Sequence, residues 1–447
     1  MDHSLMTRSY KEQAQDAVRL IKRALADQDF TVHHTHVPAA ASMHGRDELL
    51  WDDLSLTSGY AGVSLAFSGA RSGQNDDVLR AHEYLSAGAY ALSVSDADPH
   101  IPQQRGMYLG VGSLAFATLM AHRARSAGYI NAMAHLDQRV KKQARWMVEC
   151  SAKARLSALA DFDVTRGLSG IGRYLLARGA AGETELRLIL SRFVELSQRV
   201  PFRGHRVPGW WALEGPRGES PQGDFSDGHL NLGLAHGICG PLVLLATAYS
   251  SGVIVEGQRE AIEEIVGVLL DSISEDAHGI YWPRLMTLTD WSNQTSSDRY
   301  RPRPSWCYGT PGVTRAIQLA ALALQNSNWH EIAAQSLLSL LSIPLGEMGI
   351  QDASLCHGWA GLLHMVRACN HVISDDRLTD FSHRIAERIL SELDEEAPFG
   401  FRAAMLNVPQ GADVPGFLEG ATGISLALES YATDSSHPDW EMCMLIA

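Results

Sequence analysis

The sequence predicts an all-α fold: an α/α toroid (barrel) of seven inner and seven outer helices, with a small inserted loop or subdomain. Three observations predict it. A glycine-rich unit recurs seven times along the 447 residues. Each copy runs straight into an apolar segment that reads as a buried helix. Amphipathic helical patterns fill the intervals, and strand signals are sparse.

The first helix starts near Tyr10, with Ala14, Val18, Ile21 and Leu25 at helical spacing. The first glycine unit follows as Gly59-Tyr60-Ala61-Gly62 and leads into the apolar run Val63 to Phe67. The second, Leu109-Gly110-Val111-Gly112, is degenerate: leucine stands where the first glycine would be. That puts the regularity of its inner helix end in doubt. The third is Gly167-Leu168-Ser169-Gly170, with Ile171 to Leu176 behind it. The fourth is Gly237-Ile238-Cys239-Gly240, opening the most apolar stretch of the chain, Ile238 to Ile254. The intervening outer pattern is clearest at Ala261 to Ser274, where Ile262, Ile265, Val266, Leu269, Leu270 and Ile273 share one face. Gly309-Thr310-Pro311-Gly312, Gly358-Trp359-Ala360-Gly361 and Gly420-Ala421-Thr422-Gly423 complete the set.

Successive units start 49 to 72 residues apart. Such a step fits one inner and one outer helix of ~10–20 residues each with their loops. Glycine at the helix starts permits close backbone approach. The same pattern fits an open helical solenoid, so ring closure is an expectation.

The chain reads as one toroid domain over 1–447, with an insertion at about 201–231 that is rich in Gly and Pro and carries Trp210-Trp211. A second long connection runs from about Asp276 to Pro304. Loops of this length often form lids or small subdomains.

Composition excludes several classes. Hydrophobic residues at 45% and charged residues at 20% rule out a disordered or fibrous chain. The formal net charge is −14 and no basic stripe stands out, so nucleic acid and anionic membrane are poor partners. The polar Met1 to Ala26 stretch lacks the apolar core of a signal peptide. Membrane insertion is not expected, because no run of ~18 apolar residues occurs. The six cysteines are then expected to be reduced, which favours thiol or metal chemistry over bridges. No phosphate-loop or dinucleotide fingerprint is present.

Three units carry chemistry beside their glycines: Ala235-His236-Gly237, Ser305-Trp306-Cys307-Tyr308-Gly309 and Leu355-Cys356-His357-Gly358. If the glycine ends share one mouth, these side chains meet there. Cys307, Cys356 and His357 form a two-sulfur, one-nitrogen set that suits tetrahedral Zn2+, leaving one position open as in catalytic sites. On composition alone, buried structural cysteines are the favoured reading. Their equivalent offset favours the metal reading, because each cysteine stands two residues before its glycine.

Together, Asp163-Val164-Thr165-Arg166-Gly167-Leu168-Ser169-Gly170, Leu234-Ala235-His236-Gly237, Trp306-Cys307-Tyr308-Gly309 and Cys356-His357-Gly358 resemble the motifs of the lanthionine synthetase C-like family, and most of all its stand-alone lantibiotic cyclases. The resemblance spans about Gly59 to Leu428. It implies an α/α toroid holding zinc on Cys307, Cys356 and His357. The implied reaction adds a peptide cysteine thiol to dehydroalanine or dehydrobutyrine, giving a lanthionine or methyllanthionine thioether. His236 takes the place of the family's active-site histidine, an acid/base group suited to protonating the enolate. Asp163 matches the active-site aspartate, with Asp161 as local rival. Arg303 matches an arginine that could stabilise the enolate oxygen, with Arg301 as rival. Tyr308 matches as a hydrogen-bond donor, although packing explains it nearly as well.

The implied substrate is a precursor peptide already dehydrated by a separate dehydratase. A cytoplasmic location is expected, peripheral to a membrane-associated assembly with that dehydratase and a transporter. The 201–231 insertion would help to grip the peptide. Two other functions stay open. One is a non-catalytic zinc- and thiol-binding scaffold. The other is a zinc enzyme like the protein prenyltransferases, whose metal set includes a carboxylate.

Other residues take plainer readings. His33-His34-Thr35-His36 reads as a solvated loop rather than a metal site, and Asp52-Asp53 as a loop. Trp359 lines the cavity or packs. Glu419, one residue before its glycine, faces the cavity or caps the following helix. Cys239 reads as core packing, and Cys150, Cys369 and Cys443 show no partner spacing.

Overall fold

A helix follows each of the seven glycine units: Tyr60–Ser68, Val111–Arg125, Leu168–Ala177, Cys239–Ser250, Thr310–Leu324, Trp359–Ile373 and Ala421–Ala432. The computed structural model describes residues 9–69, 75–98, 104–125, 128–216, 218–296, 300–435 and 438–447. Residue 217 of the expected insertion and residues 297–299 of the second connection lie outside them. Seven further helices alternate with the first set: Tyr10–Leu25, Asn75–Ala97, Ile130–Ser151, Glu183–Ser197, Gln258–Asp271, Ser327–Leu338 and Asp376–Leu390.

Burial separates the two sets. In Tyr60–Ser68 every residue from Ala61 onward is buried, so the helix is inner. Asp376–Leu390 buries only the stripe Leu378, Phe381, Ser382, Ile385, Ala386 and Ile389, the mark of an outer helix. The first outer helix opens with a capping box between Ser9 and Glu12. It packs against the last inner helix, Ala421–Ala432, so the two ends of the sequence meet in one repeat.

The second glycine has a steric cause in every unit but the fourth, where Gly240 is less tightly enclosed. A Cβ on Gly361 would lie 2.1 Å from the Leu355 carbonyl oxygen, six positions upstream. The same relation recurs at Gly62, Gly170 and Gly423, at 2.1, 2.1 and 2.0 Å from Leu56, Val164 and Phe417. Each helix start therefore presses directly on the loop that delivers it.

Those loops are tied to each other in a closed circle. Leu56 N donates to Tyr108 O at 2.8 Å, Tyr108 N to Thr165 O at 3.1 Å, and Val164 N to Ala235 O at 2.9 Å. Leu234 N donates to Cys307 O at 3.1 Å, Cys307 N to Cys356 O at 3.4 Å, and Cys356 N to Leu418 O at 2.9 Å. Phe417 N then donates to Thr57 O at 2.7 Å and closes the ring. The fold is thus an α/α toroid, and not an open solenoid. The degenerate second unit keeps its place: Gly110 takes φ +60° and the inner helix begins at the next residue.

The interior of the ring is filled from within the chain. Trp440 and Met442 to Ile446 are all buried. Trp306 Nε1 donates to Met444 O at 2.8 Å, and the Tyr108 hydroxyl to Cys443 O at 3.0 Å. Arg173 and Arg315 donate to Ala447 O and Ile446 O at 2.8 and 2.7 Å. Residues from several inner repeats converge on this segment, so it forms a floor beneath the mouth. The sequence reading did not anticipate it.

Strands are short, in five two-stranded ribbons among the described residues. Three of them lie in or at the edge of the long connections, one being Ser274–Asp276 paired with Gly279–Tyr281. Arg199–Phe202 pairs with His205–Pro208 around Arg203 and Gly204, both with positive φ. His229–Asn231 pairs with Leu285–Thr287, joining one long connection to the other. Trp210 packs edge-on to Phe162 and Phe193, so the tryptophan-rich stretch is folded onto the core.

Candidate active site at the mouth of the ring

The circle of loop hydrogen bonds sets equivalent positions side by side. The residues immediately before the unit glycines are Ser58, Tyr108, Arg166, His236, Tyr308, His357 and Glu419. One position earlier stand Thr57, Met107, Thr165, Ala235, Cys307, Cys356 and Leu418. The chemistry-bearing residues of the last five repeats therefore meet at one mouth.

The ligand atoms of Cys307, Cys356 and His357 all lie within 4.8 Å of one another, forming the one such His/Cys/Asp/Glu group among the described residues. Cys307 and Cys356 come together because Cys307 N donates to Cys356 O. The Cys307 thiol is held well below its usual range, first by the hydrogen bond from Cys356 and then by His357, against the effect of burial. Cys356 is pushed correspondingly upward by sharing that proton and by burial. Burial works against a charged His357, yet Cys307 and Glu419 carry its pKa above the ordinary value. Two thiols and an imidazole at this separation are the soft donor set that zinc accepts, with three protein ligands and one position to spare.

Next to this cluster stands a histidine–carboxylate pair. His236 Nδ1 lies 2.8 Å from Asp163 Oδ2. Asp163 is itself fixed: Oδ1 accepts from Arg166 N at 2.6 Å and Gly167 N at 2.7 Å, and Oδ2 from the Thr165 hydroxyl at 3.1 Å. With an ionised carboxylate on that side, Nδ1 carries the proton and Nε2 is the exchanging nitrogen. Burial depresses the His236 pKa, but the hydrogen bond and charge of Asp163 outweigh it, and the net shift is upward. The side chain is 39% exposed, so the ring remains reachable from the mouth.

The rival residues separate by contact. Asp161 accepts from Ala158 N at 3.2 Å and caps the short helix Leu159–Phe162. Arg301 is committed to Asp276, at 2.8 and 3.0 Å, and to the Tyr281 ring. Arg303 makes no side-chain hydrogen bond or ion pair among the described residues, and its charge acts on His357. The Tyr308 hydroxyl accepts from Asn231 Nδ2 at 2.9 Å, and burial pushes its pKa up to about 12.

Sequence reasoning missed two residues of the site. Asn231 holds Tyr308, and no local signal marks it because its strand lies far upstream. The Ser305 hydroxyl sits 3.5 Å from Cys307 Sγ and accepts from Tyr308 N at 3.1 Å, which its position beside the cysteine could have indicated. Glu419 reaches the cluster, with Oε2 3.4 Å from His357 Nε2.

Other candidates are spent elsewhere. His33 ends the helix Gln28–His33 instead of lying in a loop, and His34 Nδ1 contacts Phe30 O at 2.8 Å. Asp52 and Asp53 bind Leu54 N and Trp51 Nε1 at 3.1 and 2.7 Å in a turn. Trp359 and Cys239 are buried, and Cys239 Sγ contacts Leu232 O.

The family model described as lanthionine synthetase C-like protein matches residues 50–445. The chain belongs to that family. Among curated relatives, nisin biosynthesis protein NisC of Lactococcus lactis subsp. lactis is 23% identical over 403 residues, covering 88% of this chain and 89% of its own length. Among solved structures, nisin cyclase superposes with a TM-score of 0.73 at 19% identity, over 98% of this chain and 97% of that one. For a lanthionine synthetase C-like protein, the matched region takes in the whole circle of glycine loops.

Proposed function

We propose that this chain is a zinc-dependent lanthionine synthetase. It adds cysteine thiols of a dehydrated precursor peptide to dehydroalanine or dehydrobutyrine, forming lanthionine and methyllanthionine rings. The observation that carries this reading is the placement of the Cys307, Cys356 and His357 donors and the His236–Asp163 pair at one mouth. Family membership and the likeness to nisin cyclase support it.

Cys307, Cys356 and His357 would hold the zinc. When bound, zinc supplies a deprotonated, coordinated thiol near neutral pH, where a free thiol of pKa ~8.5 stays mostly protonated. The remaining steps fall to the chain's own groups. The thiolate sulfur bonds to the β-carbon, and the alkene electron pair moves onto the α-carbon and carbonyl oxygen as an enolate. Arg303, which has no side-chain hydrogen bond or ion pair among the described residues, stabilises that oxygen, and Tyr308 donates to it. His236 delivers the proton to the α-carbon from Nε2, while Asp163 holds the ring through Nδ1. The thiol proton lost at the start balances the one gained at the α-carbon. The buried floor built from Met442 to Ile446 excludes water from below.

The whole chain works as one toroid domain in this reading, with the 201–231 segment as a small subdomain gripping the peptide. A separate dehydratase supplies the substrate, and a transporter consumes the product. Among the described residues no helix is long and apolar enough to cross a membrane. In this reading the chain works at the periphery of a membrane-associated assembly.

The experiment is incubation of the protein with a dehydrated, cysteine-containing peptide. Ring closure leaves mass unchanged and removes free thiols, so loss of alkylatable cysteine reports it. A zinc-loaded protein that binds the peptide without consuming thiols would instead indicate the scaffold reading.

A further inference from the structure

We propose that Glu419 positions His357 for the metal, accepting its Nε2 proton so that the Nδ1 lone pair is the one presented to the ion. The inference rests on the metal-site reading above. Three observations carry it. Glu419 Oε2 lies 3.4 Å from His357 Nε2, and it is Nε2 rather than Nδ1 that faces the carboxylate. Both side chains are largely buried, at 27% and 23% exposure, so their interaction is shielded from water. Among the described residues the ion pair of Glu419 is with His357 alone, and the same carboxyl group also hydrogen-bonds the neighbouring Cys356 thiol, which keeps it against the donor cluster.

The fold places the pair by rule. Cys356 N donates to Leu418 O, which joins the sixth loop to the seventh. The residues that follow on each loop, His357 and Glu419, are thereby neighbours. Glu419 thus occupies the position that holds Tyr308 and His236 in the preceding loops. A neutral imidazole has one N–H and one lone pair, and a carboxylate accepts only from the N–H side. Fixing the proton on Nε2 sets both the tautomer and the ring angle, and it raises the basicity of Nδ1. Groups that do this for metal-bound histidines are worth ~10–100-fold in metal affinity.

The test measures zinc affinity of the full chain by competition with a chromophoric chelator. Wild type, Glu419→Ala and Glu419→Gln are compared, with thermal melts of the metal-free proteins as a folding control. Glu419→Ala is expected to bind zinc ~10–100-fold more weakly. Glu419→Gln, whose amide oxygen still accepts from Nε2–H, is expected to recover most of that loss. Cobalt(II) substitution should leave the thiolate charge-transfer band of Glu419→Ala intact, because both cysteines still bind. Equal affinity of wild type and Glu419→Ala would overturn the proposal, and so would a Gln variant as weak as Ala. If Glu419→Ala fails to fold, the Gln variant against Glu419→Asp carries the test, the shorter acid being expected to bind more weakly. A wild-type protein that takes up no zinc would sink the metal-site reading itself, a result separable from any difference among the variants.

Discussion

His236 Nδ1 lies 2.8 Å from Asp163 Oδ2, although 73 residues of chain separate them. Their loops are adjacent on the ring, joined by the bond from Val164 N to Ala235 O at 2.9 Å. Each residue flanks one end of that bond, so a single backbone contact brings acid/base group and carboxylate together. The pair is a product of ring closure, and its chemistry can be tested separately from the metal.

Replacing His236 by Ala should lower kcat for ring closure by ~10²–10⁴-fold, the usual contribution of a general acid or base. Zinc content should stay at the wild-type level, because the metal donors are on other loops. Retained cyclisation, measured by thiol alkylation, would remove His236 from the mechanism.

Asp163→Asn should shift the pH profile. Asp163 raises the His236 pKa, so the protonated acid persists to higher pH than an ordinary imidazole would. Without that charge, the alkaline limb of kcat should move to lower pH. Stability follows the same sign. The pair's contribution is complete below ~6.5, the unfolded value, and fades as pH rises through the raised folded value. Melting temperature against pH should therefore differ between wild type and Asp163→Asn most on the acidic side, and an unchanged activity profile would contradict the coupling.

Cys356→Ala should abolish tight zinc binding. A ligand present at 100 times its Kd stabilises the folded state by ~2.7 kcal/mol. Added zinc should thus raise the Tm of wild type and leave that of Cys356→Ala in place. Calorimetry with and without metal checks this, and a full zinc response in the variant would refute the ligand assignment.

The two neighbouring arginines should separate cleanly. Arg301→Ala breaks a bidentate pair with Asp276 and should destabilise the second connection by ~1–3 kcal/mol. Arg303→Ala breaks no such contact and should leave the Tm unchanged while lowering kcat. Denaturant unfolding beside steady-state kinetics distinguishes them, and the reverse pattern would reassign the pair.

Gly361→Ala should destabilise by ~1–3 kcal/mol or more, since its Cβ would sit 2.1 Å from Leu355 O. Because Leu355 precedes Cys356, zinc affinity should fall with it. Gly267, in an outer helix with nothing within 4 Å of an added Cβ, is the control. There the same substitution should stabilise by ~0.5–1 kcal/mol. Urea midpoints of both variants check the contrast.

The repeat was legible because its cause is local: in every unit but the fourth, the second glycine is required by a carbonyl six residues upstream. The cysteines and His357 were legible for the same reason, standing at fixed offsets from those glycines. Motif register favoured Asp163 over Asp161 and Arg303 over Arg301, but it left each rival within reach. The partners that separate them, Ala158 N and Asp276, are set by the surrounding packing. Asn231 and the Trp440–Ile446 floor left no pattern at all, because their partners lie on distant repeats.

Helical class, the sevenfold rhythm and the donor residues were thus determined by the sequence alone, since periodicity, glycine spacing and side-chain chemistry are carried by neighbours in the chain. Closure of the ring, the meeting of His236 with Asp163, and the contact of Glu419 with His357 were decided only by the tertiary structure. Each depends on hydrogen bonds between loops from successive repeats, and the last of these, Phe417 N to Thr57 O, forms only when the two ends of the chain come together.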